Sequence, residues 1–191
     1  MDFDKIAGIY GLFFDFQRKN YCRVFRKIDQ EISLGEFRKV IDIGCGTGAL
    51  CSVLEDLGLQ VTGIDPSKKM LEIARKKNDS RNIKFHKENV LEGLPFEDKC
   101  FDISVASYVA HGLSELDRKK MYKEMKRISR YYVLIYDYNQ TRSFFTDIAE
   151  KAEGGDYFNF IKNAEKELKE HFTEVKVIQT DKKAACYIGK I

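Results

Sequence analysis

Nowhere in the 191 residues does an apolar run approach the length of about 18 residues that a membrane-spanning helix needs, so no span is expected. The opening stretch, MDFDKIAGIY, carries acids at Asp2 and Asp4 and no basic region leading into an apolar one, so no signal peptide is expected. Cysteine is scarce and unpatterned: Cys22, Cys45, Cys51, Cys100 and Cys186 make an odd set of five without a C-x-x-C. That argues against a disulfide frame or a zinc site and for reduced, mostly buried thiols in a cytoplasm, with no metal expected. A P-loop is also excluded, because the only Gly-Lys pair, Gly189-Lys190, is followed by the last residue. Neither charge sign dominates: 33 basic and 30 acidic residues are well mixed, for a net charge of +3. The RKK clusters at 75–77 and 118–120 fall within helical patterns and read as solvated helix faces, not as a nucleic-acid patch.

What is present describes a globular chain, 43% apolar and 33% charged, long enough for one domain (1–191) with a real core. Residues 1–32, rich in aromatics, read as one or two amphipathic helices interrupted near Gly8 and Gly11. A rhythm of strands and helices follows: KVIDIG (39–44), helix 49–58 ended by Gly58, QVTGID (60–65), helix 67–78 capped by Ser67, and NIKFHK (82–87). It continues with FDISVASY (101–108), a helix over 114–129 with Leu116, Met121 and Met125 inward, and YYVLIYDY (131–138). Such alternation predicts a parallel sheet covered by helices on both sides. The end breaks the rhythm. TEVKVIQT (173–180) and AACYIGKI (184–191) are separated by only Asp181, Lys182 and Lys183, too short a link for a parallel crossover, so they form an antiparallel hairpin.

The stretch VIDIGCGTGALCSVLEDLGLQVTGID (40–65) has two spellings. Gly44, Gly46 and Ala49 fit the dinucleotide fingerprint G-x-G-x-x-G/A, with Asp65 near the acidic ribose position. Gly44, Gly46 and Gly48 fit the tighter G-x-G-x-G of a nucleoside-binding loop. Three features favour the second spelling. Asp42, two residues before Gly44, suits a cationic ligand and not a pyrophosphate. The terminal hairpin replaces a further βαβ unit. The chain also leaves no room for a separate dehydrogenase substrate domain.

Taken together, VIDIGCGTGAL, GIDPSKKML, NVLEGLPFEDKCFDISVASYVAHGL and YYVLIYDYN resemble the consecutive motifs of class I S-adenosylmethionine-dependent methyltransferases. The nearest likeness is the small-molecule group that includes the ubiquinone and menaquinone C-methyltransferases, whose N-terminal helix FDKIAGIYG resembles. The resemblance implies a doubly wound α/β fold: a seven-stranded, mostly parallel sheet in the order 3-2-1-4-5-7-6, with an antiparallel strand 7. It also implies an N-terminal helical cap (1–32) and a helical insertion (143–168) between strands 5 and 6.

S-adenosylmethionine carries a sulfonium, an ammonium, a carboxylate and a ribose, and the family motifs assign residues to each. Gly44, Cys45 and Gly46 form the loop that the methionine part approaches, and the helix start beyond it favours the carboxylate. Asp42 favours the ammonium and Asp65 accepts from the ribose hydroxyls. Pro66 stiffens the next loop and Met70 offers apolar surface to the adenine. Asn89 stands where the family usually has Asp, accepting from the adenine amine beside a donating Val90 N–H, and Ser107 lies by the sulfonium. Tyr10 completes the cofactor set. His111 reads either as a general base or as a helix-start histidine bonded to backbone, and Tyr108 is similarly two-sided. Asp102 more plausibly orients backbone than carries chemistry.

The expected acceptor is a small molecule over the carboxyl ends of strands 4 and 5. Tyr108, His111, Tyr136, Asp137 and Tyr138 could line that space with Tyr10 and Phe14, and Phe144, Phe145, Tyr157, Phe158 and Phe160 could roof it. Nucleic acid is less expected, since the chain lacks both the Asn/Asp-Pro-Pro-aromatic tetrad and the Pro-Cys pair. A tRNA or protein substrate, or a catalytically silent cofactor-binding partner, stays open.

Overall fold

The computed structural model describes residues 7–8, 11–142 and 155–191. Tyr10, Phe144 and Phe145 lie outside them, so their expected places are not addressed by the fold. Strands β1 (Lys39–Ile43), β2 (Gln60–Ile64), β3 (Lys84–His86), β4 (Phe101–Ser107), β5 (Ser129–Tyr138), β6 (Glu174–Asp181) and β7 (Ala184–Lys190) form one sheet. Its order is β3-β2-β1-β4-β5-β7-β6, as the motif resemblance implied. β1 to β5 run parallel, while β7 is antiparallel to both of its neighbours. Only Lys182 and Lys183 separate β6 from β7, so the chain has to double back there.

Among the described residues the helices that flank the sheet are α1 (Phe14–Ile32), α2 (Ala49–Asp56), α3 (Lys68–Lys77), α4 (Glu115–Ile128) and α5 (Tyr157–His171). Val24, Phe25 and Ile28 of α1, Leu50 and Leu54 of α2, and Leu71 of α3 bury one face against Val40, Val61 and Val105. Met121 and Met125 of α4 and Phe160 and Leu168 of α5 bury the other against Ile41, Ile43, Val133 and Ile135. Val40 and Ile41 thus point to opposite faces and both are lost to water, which is why β1 and β4 do not alternate apolar with polar residues along their length. Asp102 has the backbone role expected of it: its Oδ2 accepts from Arg38 N (2.8 Å) and Lys39 N (2.9 Å). Ser67 Oγ accepts from Met70 N at 3.1 Å, as an N-cap should.

Two expectations about α4 are corrected. Leu116 is 66% exposed and belongs to no core. The buried stripe is Arg118, Met121, Tyr122, Met125 and Ile128, and Leu116 lies off it. Arg118 is also no part of a solvated face, being completely buried. Its Nε and Nη2 donate to Glu167 at 2.8 and 2.7 Å, and its Nη1 donates to Leu113 O at 2.6 Å and Asp156 at 3.0 Å. A charge that reads as surface by helical period is drawn inside by a carboxylate 49 residues away.

Candidate active site

Three glycines shape the turn from β1 into α2. Gly44, Gly46 and Gly48 have φ of +70°, +53° and +77°, and Ala49 opens the helix. The backbone therefore realises the tighter G-x-G-x-G spelling. A Cβ on Gly44 would stand 2.6 Å from Val109 Cγ2, so both its φ and its surroundings demand glycine.

Asp65, just past β2, ties this loop down. Its Oδ2 accepts from Gly46 N at 2.9 Å and its Oδ1 from Ser67 N at 2.8 Å. Asp42 sits one layer behind, 1% exposed. Its Oδ2 accepts from the Cys51 thiol at 3.2 Å, and its Oδ1 meets no hydrogen-bond partner among the described residues. Burial pushes the Asp42 carboxyl up to about 7, against the lowering pull of Cys51. Burial also raises the Cys45 thiol, which keeps it a packed side chain and not a thiolate.

In front of the loop lies a crevice of about 550 Å³ over the carboxyl ends of β1, β2 and β4. Its lining includes Gly44, Cys45, Gly46, Asp65, Pro66, Met70, Asn89, Val90, Ser107, Tyr108 and His111. Asp42 does not line it. Asn89 is turned into its own loop: Oδ1 accepts from Leu91 N at 3.1 Å and Nδ2 donates to Glu92 at 2.7 Å. A ligand amine would thus have to use a second lone pair of that oxygen.

The far end of the crevice is aromatic. Tyr108 has φ of +53°, rare for a bulky residue, and its hydroxyl lies 3.3 Å from that of Tyr136. Burial beside Tyr136 raises the Tyr108 phenol well above its ordinary range, so it stays protonated at neutral pH. His111 is held by a carboxylate, not chiefly by backbone as one reading had it. Its Nδ1 is 2.8 Å from Asp137 Oδ1, and its N–H donates to Asp137 Oδ2 at 3.2 Å. Tyr108, Tyr138 and His111 lie edge-on to one another, with centroids 4.9 to 6.3 Å apart.

Several proposed acceptor-lining residues are elsewhere. Tyr136 and Asp137 are buried behind the wall, and Phe14 is buried outside the crevice lining. Tyr157 and Phe160 are core residues with 1% and 0% exposure, and Phe158, only partly buried, does not line the crevice. Gly155 closes that end instead: a Cβ there would meet Gly112 Cα at 2.9 Å. Sequence reading missed Tyr21 and Gln17 of α1, which line the crevice, with Tyr21 OH 2.9 Å from Ser107 Oγ. Their spacing of one helical turn was the available signal, but nothing local says which face meets the crevice.

A glycine loop, an acid after β2 and a crevice over the strand ends of a 3-2-1-4-5-7-6 sheet define the class I methyltransferase fold. Comparison with known proteins agrees. Residues 40–131 match the model of a methyltransferase domain. A demethylmenaquinone methyltransferase of Chlorobaculum parvum is 33% identical over 129 residues, covering 61% of this chain and 52% of that protein. A ubiquinone biosynthesis O-methyltransferase of Rhodopseudomonas palustris is 33% identical over 101 residues, covering 53% of this chain and 40% of that protein. A SAM-dependent methyltransferase from Aquifex aeolicus shares the fold with a TM-score of 0.69 at 21% identity, over 87% of this chain and 88% of that one. The chain spans about half the length of the curated relatives it matches. These matches agree with the likeness read from the motifs: the chain has the class I methyltransferase fold, and residues 40–131 are similar to a methyltransferase domain. No helix among the described residues is long and apolar enough to cross a membrane.

Proposed function

We propose that the chain is a cytoplasmic, single-domain enzyme that transfers the methyl group of S-adenosylmethionine to a small-molecule acceptor. The observation that carries this reading is the site behind the glycine loop. Asp42 Oδ1 is buried there with no hydrogen-bond partner among the described residues, behind a loop in which a Cβ on Gly46 would meet nothing within 4 Å. A buried acid one layer behind the loop favours the ammonium of the cofactor through its charge, and the bare backbone of the loop fits a close approach. S-adenosylmethionine supplies an electrophilic methyl group when bound.

In this reading Gly44, Cys45 and Gly46 face the methionine part, and the remaining lone pairs of Asp65 take the ribose hydroxyls. Pro66, Met70, Asn89 and Val90 surround the adenine. Ser107, held by Tyr21, stands by the sulfonium, and Tyr10, outside the described residues, belongs to the same set by the motif resemblance alone. His111 and Tyr108 face the acceptor, His111 as proton acceptor and Tyr108 as wall and hydrogen-bond donor. Their crevice, about 550 Å³, is in the range that holds a small ligand.

Calorimetry with S-adenosylmethionine, its demethylated product and NAD tests the cofactor. Micromolar binding of the first two and none of NAD is expected; the reverse overturns the proposal. A coupled assay for homocysteine formation then separates an enzyme from a silent binding partner.

A further inference from the structure

We propose that Cys45 and Cys51 form a thiol-modification site: a small disulfide entering the crevice oxidises the pair to an internal disulfide, and the oxidised chain binds its cofactor weakly. The pairing stands on geometry, whereas its effect on binding rests on the methyltransferase reading.

Gly63 shows that the fold makes room for both sulfurs. It lies inside β2, opposite Asp42 of β1 and Phe85 of β3, and its φ is not among the positive ones. Glycine is therefore needed there for space, not for conformation. A Cβ at Gly63 would stand 2.9 Å from Cys51 Sγ, 3.0 Å from Cys45 Sγ and 3.0 Å from Phe85 Cδ1. Both sulfurs thus crowd one point in the middle of a central strand, and the two thiols interact directly.

The pair is also asymmetric in the way that thiol–disulfide exchange requires. Cys45 lines the crevice and is 8% exposed, so an incoming reagent meets it first. Cys51, in the first turn of α2, is completely buried. Its Sγ donates to Asp42 Oδ2 at 3.2 Å, while Asp42 Oδ1 has no hydrogen-bond partner among the described residues. Burial holds both thiols protonated at neutral pH, so the buried one reacts only where a base takes its proton. Asp42, whose carboxyl burial pushes up to about 7, is the base in contact with it.

In the first step the Cys45 sulfur, its proton lost to solvent, bonds to one sulfur of the reagent, whose S–S bond breaks to release a thiolate. In the second, Cys51 passes its proton to Asp42 Oδ2 and its sulfur bonds to that of Cys45. The mixed disulfide breaks and the second thiolate leaves. Each released thiolate takes up a proton, one from solvent and one that Asp42 gives back. The two cysteines lose two electrons and the reagent gains them, leaving as two thiols.

Oxidation takes from Asp42 the hydrogen-bond donor it has in Cys51. A buried carboxyl without a donor keeps its proton, and a neutral Asp42 no longer favours the ammonium of the cofactor. A ligand lying on the glycine loop covers Cys45 in turn, so bound cofactor protects the pair.

The test treats the full chain with 2-hydroxyethyl disulfide, alkylates the remaining thiols after denaturation, and weighs the tryptic peptide 40–68, which holds both cysteines. Wild type should yield that peptide two hydrogens lighter and unalkylated, and dithiothreitol should reverse the change. Cys51→Ser should stop at an adduct of one mercaptoethanol group on Cys45. Asp42→Asn should accumulate the same adduct and close it about tenfold or more slowly. Calorimetry with S-adenosylhomocysteine should read about tenfold or more weaker binding in the oxidised chain than in the reduced one. Saturating S-adenosylhomocysteine should slow the oxidation by a similar factor. Peptide alkylated at both cysteines in treated wild type, or a Cys45 adduct that never closes, overturns the pair. Closure in Asp42→Asn at the wild-type rate overturns the role of Asp42, and equal affinity of the two forms overturns the effect on binding. No binding by the reduced chain overturns the methyltransferase reading instead, and the peptide mass then decides the pair by itself.

Discussion

Asp65 Oδ2 accepts a 2.9 Å hydrogen bond from Gly46 N, joining the end of the second strand to the middle of the glycine loop. With Ser67 N on its other oxygen, this buried carboxylate holds two loops before it holds any ligand. The motif alone suggests a residue whose removal costs only ligand binding. The structure adds a cost to folding.

Asp65→Ala should weaken S-adenosylmethionine binding by about 2–4 kcal/mol, roughly 30- to 1000-fold in Kd. It should also lower the melting temperature, because the buried Ser67 N–H loses its acceptor at about 1–3 kcal/mol and the half-buried Gly46 N–H loses its own at less. Asp65→Asn should be milder in both, since its amide oxygen can still accept. Titration beside a ligand-free melt checks this, and wild-type binding by Asp65→Ala would remove the ribose assignment.

Asp42 makes stability depend on pH. Its carboxyl titrates near 7 in the fold against 3.8 ordinarily, so between those values the folded chain holds a proton that the unfolded chain has released. This contribution is greatest below about pH 4, declines as pH rises to about 7, and is flat above. A cationic ligand beside Oδ1 favours the ionised form, so cofactor affinity should rise between pH 5.5 and 7 with proton release. Asp42→Asn should flatten both trends; buffer-dependent calorimetry and melts across that range measure them.

Gly44→Ala should abolish cofactor binding while the protein still folds. Alanine at φ +70° is strained by about 1–2 kcal/mol, and its methyl would lie 2.6 Å from Val109 Cγ2. Adding Val109→Ala removes the clash but not the strain, so binding should recover only in part. Full recovery would show that the glycine is needed for space alone.

Arg118→Met should cost about 3–5 kcal/mol in denaturant unfolding, because it strands the buried Glu167 carboxylate. Arg118→Met with Glu167→Leu should recover most of that loss. Since Arg118 also grips Asp156, next to the Gly155 that closes the crevice, the double variant should still bind the acceptor less well. Equal acceptor affinity would show that the Arg118–Asp156 bond does not shape the site.

The sequence by itself determined the parts of this protein that depend on near neighbours. The small-apolar run at 101–108 predicts a strand covered on both faces, and the short link at 181–183 forces a hairpin. Three glycines at alternate positions mark a loop that only glycine can follow. Each rests on period, link length or Cβ sterics, all of which act within a few residues. Tertiary structure decided the pairings across the chain: His111 with Asp137, 26 residues apart, Arg118 with Glu167, 49 apart, and Tyr21 with Ser107, 86 apart. It also moved Arg118 inside, left Leu116 in water and turned Asp65 into a brace. A polar side chain carries no local mark of its partner. Whether it faces solvent, a ligand or a buried opposite charge is settled only when the sheet order brings distant residues to the same end of adjacent strands.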